Sequence, residues 1–192
     1  MSDKAERKKE LIIKTARELF SKNGFKNVTM KDIVEACDIS RGGLYLYYPG
    51  TAEIFEDVLK AETSDINEDP GENLKKDSTI SDILGVFLEG QKSLIMHDTD
   101  DLSVAKYEYY MSHRIPPEKN RMEQNFDDSV EALADLIDDG VESGEFFCDD
   151  SHIAARNIMF VCEGLKIASL ITDLPEEVVN EQLSYLWGGL LV

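Results

Sequence analysis

The stretch Thr29–Phe55 reads TMKDIVEACDISRGGLYLYYPGTAEIF and decides the fold of the N-terminal part. Thr29 has the position of an N-cap, with an acidic residue three positions later as in a capping box, and predicts a short helix over 31–37. Ser40 is a second N-cap and predicts another short helix over 41–47, which a Pro-Gly pair ends. Two short helices separated by a tight turn are typical of a helix-turn-helix.

Helical periodicity continues on both sides of this stretch. Apolar residues recur at helical spacing over 4–22, where Asn23-Gly24 supplies a stop. A longer helix is predicted from Gly50 or Thr51 onward, and a polar stretch over 66–78 is the best linker candidate. Beyond it the apolar spacing is helical, without a period-2 strand pattern of useful length. The sequence therefore predicts an all-α chain.

The charge of the chain is distributed unevenly. The net charge is −19, but residues 1–50 carry ten Lys/Arg against seven Asp/Glu, a net +3. Residues 51–192 carry ten Lys/Arg against 32 Asp/Glu, a net −22. This asymmetry indicates a DNA-facing end and a body that stays off the DNA. Charge alone equally allows an acidic soluble protein whose first helix happens to be lysine-rich.

Composition and motifs argue against several classes of protein. No apolar run is long enough to span a membrane, and the first residues lack the apolar core of a signal peptide. Cys37, Cys148 and Cys162 form neither a disulfide framework nor a metal-binding pair, which fits a reducing cytoplasm and predicts a cytoplasmic protein. No catalytic constellation or phosphate-binding loop occurs. We therefore expect no enzyme, no cofactor and no metal site.

The opening stretch resembles the DNA-binding signature of TetR-family transcriptional regulators. That signature runs roughly as Thr, an Ile-Ala pair, Ala-Gly-Val-Ser, any residue, Gly-Thr-Leu-Tyr, any residue, Tyr-Phe, then Ser-Lys-Glu. The resemblance covers about residues 8–60. It implies a DNA-binding surface made by Thr29, Lys31, Ser40, Arg41, Gly42, Gly43, Tyr45, Tyr47 and Thr51.

The resemblance also implies individual roles within that surface. Thr29 and Lys31 would contact phosphate or a base edge, and Arg41 would read a base, since arginine on guanine is the commonest specific contact. Tyr45 and Tyr47 would hold the DNA backbone through their hydroxyls. The residues offer independent support, because a double glycine in the first turn of a helix is unfavourable and is better explained by close approach to DNA. For the next tyrosine, at the family's Phe position, we expect core packing.

Three positions depart from the signature. Asp38 replaces the usual turn glycine, which Asp tolerates because it visits the left-handed region more readily than most residues. Gly43 replaces a Thr or Ala and removes a hydroxyl. Thr51 and Ala52 stand where the family has Lys-Glu, so one phosphate contact is lost. Lysines between 4 and 9 can supply positive charge at the first helix.

The C-terminal part contains two candidate surfaces. The segments 153–171 and 178–191 are apolar over much of their surface, and in the resembled family the last two helices form a four-helix dimer bundle. The dimer candidates are Met159, Cys162, Leu165, Leu183, Leu186 and Trp187. An apolar ligand pocket would use Tyr107, Tyr110, Met111, Met122 and Phe126. Core packing within one chain is the alternative for each residue of both sets.

These observations predict an N-terminal three-helix helix-turn-helix DNA-binding domain at 1–50, a connecting helix at 51–66, and a larger helical ligand-binding and dimerisation domain at 67–192. The function implied is a homodimeric, sequence-specific transcriptional regulator that binds a pseudo-palindromic double-stranded operator. It would be a repressor released by a small-molecule effector. The alternative is a helical sensor or adaptor with weakened or lost operator binding, for which Thr51 and Ala52 are the motivation.

Overall fold

The computed structural model of the chain describes residues 3–65, 78–96 and 102–191. Within these ranges it has α-helices, one 3₁₀ turn and an isolated antiparallel bridge between Phe146 and Leu191. The all-α prediction is confirmed. The linker candidate at 66–78 lies outside the described residues except for Ser78. In chain order the helices are α1 (Asp3–Asn23), α2 (Met30–Ala36), α3 (Arg41–Tyr45), α4 (Thr51–Asp65), α5 (Ile80–Ile95), α6 (Ser103–Ser112), α7 (Arg121–Ser143), α8 (Ser151–Ile171) and α9 (Glu176–Gly188).

The chain divides into two compact units. The described part of unit one is 3–65 with 102–115, so it contains α1 to α4 and α6. The described part of unit two is 78–96 with 116–191, so it contains α5, α7, α8 and α9. No helix in these ranges has both the length and the apolar character needed to cross a membrane.

The place of α6 differs from the sequence-based division, which put everything after residue 66 in one domain. Tyr109 of α6 is buried in unit one, with its ring centroid 5.0 Å from that of Phe25 and 5.2 Å from that of Phe55. Its hydroxyl donates a hydrogen bond of 2.9 Å to Oε1 of Glu56 on α4. Aromatic packing of this kind buries a large apolar area, which explains why α6 belongs to unit one.

Unit two contains a helical hairpin of α7 and α8. Gly144 ends α7 in the left-handed conformation, with φ 81°. Gly140 lies inside α7 and does not end it. A Cβ at Gly140 would lie 2.1 Å from a ring carbon of Phe146, so only glycine lets this ring pack on α7.

Candidate nucleic-acid interface

The start of α3 is organised by a cap. Ser40 has extended backbone angles, and its Oγ accepts a 3.1 Å hydrogen bond from the backbone N–H of Gly43. A Cβ at Gly43 would lie 3.0 Å from this Oγ, so glycine leaves room for the cap. At Gly42 a Cβ would meet nothing within 4 Å. Glycine at 43 thus serves the local turn, whereas Gly42 leaves the outer surface of α3 open to close approach.

The outer face of α3 presents three side chains to solvent. Leu44 is fully buried, while Arg41, Tyr45 and Leu46 are exposed. The Arg41 guanidinium carbon lies 5.5 Å from the centroid of the Tyr45 ring, within cation–π range. Sequence reasoning singled out Arg41 and Tyr45 but missed Leu46, because the family pattern accepts any residue there.

At the start of α2, Thr29 forms the predicted capping box. Its hydroxyl donates to Oδ2 of Asp32 over 2.6 Å, and its backbone N–H donates to the same oxygen over 2.8 Å. These bonds, the one from the Thr29 side chain first, lower the pKa of Asp32. Thr29 is exposed, but its hydroxyl is engaged in the cap. Lys31 is also exposed, and its Nζ lies 3.6 Å from Oε1 of Glu35.

The turn between α2 and α3 uses a non-glycine residue in the left-handed region. Asp38 has φ 50°, and in the described residues it is the one non-glycine residue with positive φ. The backbone N–H of Ile39 donates to the carbonyl of Val34 over 3.3 Å, which closes the turn. Asp38 therefore performs the role of the family's turn glycine.

A buried phenol anchors the segment that follows α3. Tyr48 is 3% exposed, and its hydroxyl donates to Oδ2 of Asp57 on α4 over 3.0 Å. Asp57 also pairs with the Nζ atoms of Lys9 at 2.8 Å and Lys60 at 2.7 Å. Burial acts to raise the pKa of Asp57, but hydrogen bonds from Lys60, Lys9 and Tyr48 outweigh it and lower that pKa to about 2. Tyr47, by contrast, is half-buried against the core of unit one.

This arrangement changes the expected source of positive charge. Lys9 was expected to help replace the lost family lysine, but its Nζ is paired with Asp57. Thr51, the first residue of α4, is half-buried, and Glu53 follows in the same turn. The first turn of α4 therefore carries Glu53 and no lysine at position 51, so its charge does not favour contact with a DNA phosphate.

Helix α6 holds the loop between α1 and α2. The backbone N–H of Lys26 donates to Oε2 of Glu108 over 2.9 Å. Gly24 has φ 75°, and a Cβ there would lie 2.7 Å from the same carboxylate oxygen. These contacts join residues 82 positions apart. A single sequence carries no local signal that could have revealed them.

Two family profiles match the chain. Bacterial regulatory proteins of the tetR family match residues 12–58, and the tetracyclin repressor-like C-terminal domain matches residues 83–180. The second match alone covers about half of the chain. The chain belongs to the TetR family. It is accordingly a helix-turn-helix transcriptional regulator, and this family binds DNA.

Relatives of this TetR-family chain are bacterial. The HTH-type transcriptional regulator YfiR of Bacillus subtilis is 30% identical over 139 residues, which are 70% of this chain and 66% of YfiR. The HTH-type transcriptional regulator QacR of Staphylococcus aureus is 22% identical over 93% of this chain and 92% of QacR. A Saccharomonospora viridis protein, solved in complex with choline, shares the fold with a TM-score of 0.81 at 17% identity, covering 97% of this chain and 99% of that one.

Four of the six dimer candidates of this TetR-family regulator are buried in the core of unit two. Buried side chains have no surface to offer a second copy, so the assignment is corrected for these four and stays a prediction for Leu165 and Trp187. Trp187 is partly exposed, but its Nε1 donates to Oγ of Ser81 on α5 over 3.2 Å, so it lies on the α5 side of α9. Leu165 is half-buried against the core. The fully core residues are Met159, Cys162, Leu183 and Leu186.

The exposed apolar residues of α8 and α9 occupy other positions. Tyr185 is 81% exposed on α9, and the exposed residues of α8 recur at helical spacing. Glycine at 164, where a Cβ would meet nothing within 4 Å, leaves open space among them. We call the following residues the outer apolar face: Ile153, Phe160, Ile167, Ile171, Val178 and Tyr185.

The predicted ligand-pocket residues are divided between the units. Tyr107, Tyr110 and Met111 lie on α6 in unit one, and Met111 is exposed. Met122 and Phe126 lie on α7 in unit two. The single pocket that would use all five stays a prediction.

A groove of about 920 Å³ lies between α5 and α9 within unit two. Trp187 and Gly85 line it together with charged side chains that include Glu89 and Lys92. Lys92 bridges the two helices through a 2.7 Å pair with Glu176. Across residues 3–65, 78–96 and 102–191, no three His, Cys, Asp or Glu side chains are grouped to hold a metal ion.

Proposed function

We propose that this TetR-family regulator is a homodimeric repressor that binds a pseudo-palindromic operator and leaves it when a small effector binds. The exposed Arg41 directly after the Ser40 cap carries the DNA-reading part of this proposal. The first residues of a recognition helix meet base edges in the major groove. Arg41 has the length and the bidentate donors to read guanine there.

The outer apolar face supports the homodimer. Its largest exposed members, Phe160, Ile171 and Tyr185, are each more than half exposed in the single chain. Exposed apolar patches on soluble proteins mark interaction surfaces, and most soluble oligomers are twofold symmetric. A second copy that packs the same face would bury these side chains. Such a dimer presents two helix-turn-helix units related by a twofold axis. It therefore binds an operator whose two half-sites are related by the same symmetry, which is a pseudo-palindrome.

A buried polar atom in unit two supports the effector. Gln91 lies on the face of α5 that also carries the buried Leu88 and Ile95. Its Oε1 is buried and has no hydrogen-bond partner among the described residues. An unsatisfied buried acceptor costs about 1–3 kcal/mol, which a bound donor would recover. The proposed effector therefore offers a hydroxyl, amine or amide N–H to Gln91.

The effector acts by selecting one arrangement of the dimer. The half-sites that such dimers bind lie about 34–36 Å apart. The separation of the two helix-turn-helix units therefore determines the affinity for the operator. A ligand that binds one arrangement more tightly shifts the population toward it. Helix α6 packs in unit one, whereas its sequence neighbours α5 and α7 belong to unit two.

The proposed DNA reading is tested by selecting duplexes from a random library with the wild-type chain. We expect enrichment of one pseudo-palindromic sequence. Arg41→Ala should lose about 1–3 kcal/mol per half-site on that duplex and discriminate less between bases at one position. Lys119→Ala removes an exposed positive charge from the 3₁₀ turn before α7, away from the outer apolar face, and serves as the control, with unchanged binding expected. Failure to enrich any duplex, or an unchanged affinity of Arg41→Ala at fixed salt, contradicts the proposal.

A further inference from the structure

Leu46 is the most exposed large apolar side chain in the described residues, at 85%. It directly follows α3, and its backbone N–H donates to the carbonyl of Gly42 over 3.2 Å. Single exposed leucines are common on protein surfaces and need no explanation by themselves. Leu46, however, lies on the outer face of α3 with the exposed Arg41 and Tyr45, one turn after Gly42.

The residues around Leu46 leave its side chain open to solvent on the outer face of α3. Gly42 precedes it by four positions, so the two share one row of the helix surface, and glycine adds no side chain to that row. The neighbouring row holds Arg41 stacked on Tyr45. Five helical residues rise only about 7.5 Å, less than the roughly 12 Å width of the major groove. Leu46 therefore fits in the same groove as Arg41.

The chemistry of the groove limits what a leucine can recognise. Phosphates and most base edges offer charges, donors and acceptors, with which an aliphatic side chain forms no hydrogen bond. The C5-methyl group of thymine is the apolar feature of the major-groove edge. Contact with it would remove both groups from water.

We propose that Leu46 is a specificity-determining residue that reads the methyl group of a thymine in each half-site. The inference rests on the proposed operator binding, and it adds a base that Arg41 does not read. It predicts a conserved T·A pair, in each half-site of the selected duplex, within reach of the end of α3.

The test replaces each thymine of the selected duplex in turn by deoxyuridine, which lacks only the methyl group. With both half-sites substituted at the position that Leu46 reads, wild-type affinity should fall about fifteenfold, roughly fourfold per half-site. Leu46→Ala should bind the thymine and deoxyuridine duplexes equally. Leu94→Ala removes an exposed leucine from α5 and should keep the wild-type dependence on the methyl group. If Leu46→Ala binds too weakly for this comparison, both titrations are repeated at lower salt. Lower salt strengthens the phosphate contacts, which are the same in the two duplexes, so the comparison between them is preserved.

The outcomes separate this inference from the proposed function. A methyl dependence that disappears with Leu46→Ala and persists with Leu94→Ala supports it. Tight wild-type binding without any methyl dependence, or a dependence that Leu46→Ala retains, overturns the inference and leaves operator binding intact. Absence of wild-type binding to any duplex overturns both.

Discussion

The Tyr48 hydroxyl lies 3.0 Å from the Asp57 carboxylate and joins the chain just after α3 to the middle of α4. Tyr48 is buried, and the same carboxylate pairs with Lys9 of α1. The C-terminal end of α3 is thus held by a hydrogen bond to α4 and, through the same carboxylate, by an ion pair with α1. A Phe at position 48, as in the family signature, would pack but could not make this hydrogen bond.

Tyr48→Phe should therefore destabilise unit one while preserving the fold. It removes a hydrogen bond to an ionised carboxylate, and such bonds contribute about 1.5–3 kcal/mol. Asp57 keeps Lys9 and Lys60, so we expect a loss near the lower end of this range. Urea unfolding measures it. Tyr45→Phe, which removes an exposed hydroxyl, is the control and should change stability by less than about 0.5 kcal/mol. Equal stability of wild type and Tyr48→Phe would show that the bond contributes nothing.

The same network makes a pH-dependent contribution to stability. The pKa of Asp57 is lowered from 3.8 to about 2 in the folded chain. Because the folded pKa is the lower one, this contribution is fully present above about pH 5 and is lost progressively as pH falls through 2. The shift corresponds to roughly 2 kcal/mol. Asp57→Asn should thus differ most from wild type at neutral pH.

Urea titrations of wild type and Asp57→Asn at a series of pH values check this expectation. The difference in unfolding free energy between the two should shrink steadily from pH 5 to the lowest pH at which both fold. Glu35→Gln interrupts an exposed pair with Lys31 and is the control, since such pairs contribute little at any pH. A difference that is independent of pH would mean that Asp57 acts through packing and not through its charge.

Local sequence signals predicted the helix-turn-helix formed by α2 and α3 well. Thr29 and Ser40 are caps whose partners lie three residues away, and Asp38 adopts the left-handed turn conformation that its position suggested. Side chain and backbone interact here over a single turn, so the sequence pattern contains nearly all the physical information. Helix ends shifted by one or two residues at α2 and α3, which is ordinary for short helices.

Contacts between distant residues were not predictable in this way. Asp57 with Lys9 and Glu108 with Lys26 form because packing brings helices together, and no periodicity encodes such pairs. The apolar residues chosen for a dimer on α8 and α9 illustrate the same limit. A helix that is apolar on most sides has an inner and an outer face, and spacing alone does not tell Leu186 of the core from Tyr185 of the surface.

Gly140→Ala should destabilise unit two strongly. Its Cβ would lie 2.1 Å from the Phe146 ring, and overpacking of this severity costs about 1–3 kcal/mol or more. The double variant with Phe146→Ala should add less than the sum of the two single losses, since the clash is then absent. Gly90→Ala, on the exposed side of α5 with nothing within 4 Å, should instead stabilise by roughly 0.5–1 kcal/mol. Thermal unfolding of the four variants compares these effects, and additive losses would exclude the clash.

Tyr185→Glu should convert the proposed dimer to a folded monomer. Tyr185 is 81% exposed in the single chain, so a charge there leaves the core of unit two intact but opposes burial against a second copy. Leu186 is unsuitable for such a test, because it is buried and a charge there would unfold the unit. Leu94→Glu places the same charge on an exposed part of α5 and should remain dimeric. Sedimentation at micromolar concentration, with circular dichroism for folding, distinguishes these results. A wild-type monomer or a dimeric Tyr185→Glu contradicts the proposed interface.

Thr51→Lys should tighten DNA binding without changing the preferred sequence. Position 51 begins α4, where the family signature has a lysine, and Lys9 is already paired with Asp57. A phosphate contact restored in each chain of a dimer should steepen the salt dependence, with the slope of log K against log salt more negative by about 0.9 per contact. Ala132→Lys adds the same charge to the exposed side of α7 and controls for net charge. Titrations of the selected duplex at several salt concentrations separate a local contact from a general reduction of the negative charge. A slope that changes equally in both variants would mean that position 51 does not meet the phosphate backbone, whereas a change confined to Thr51→Lys would place the start of α4 against it.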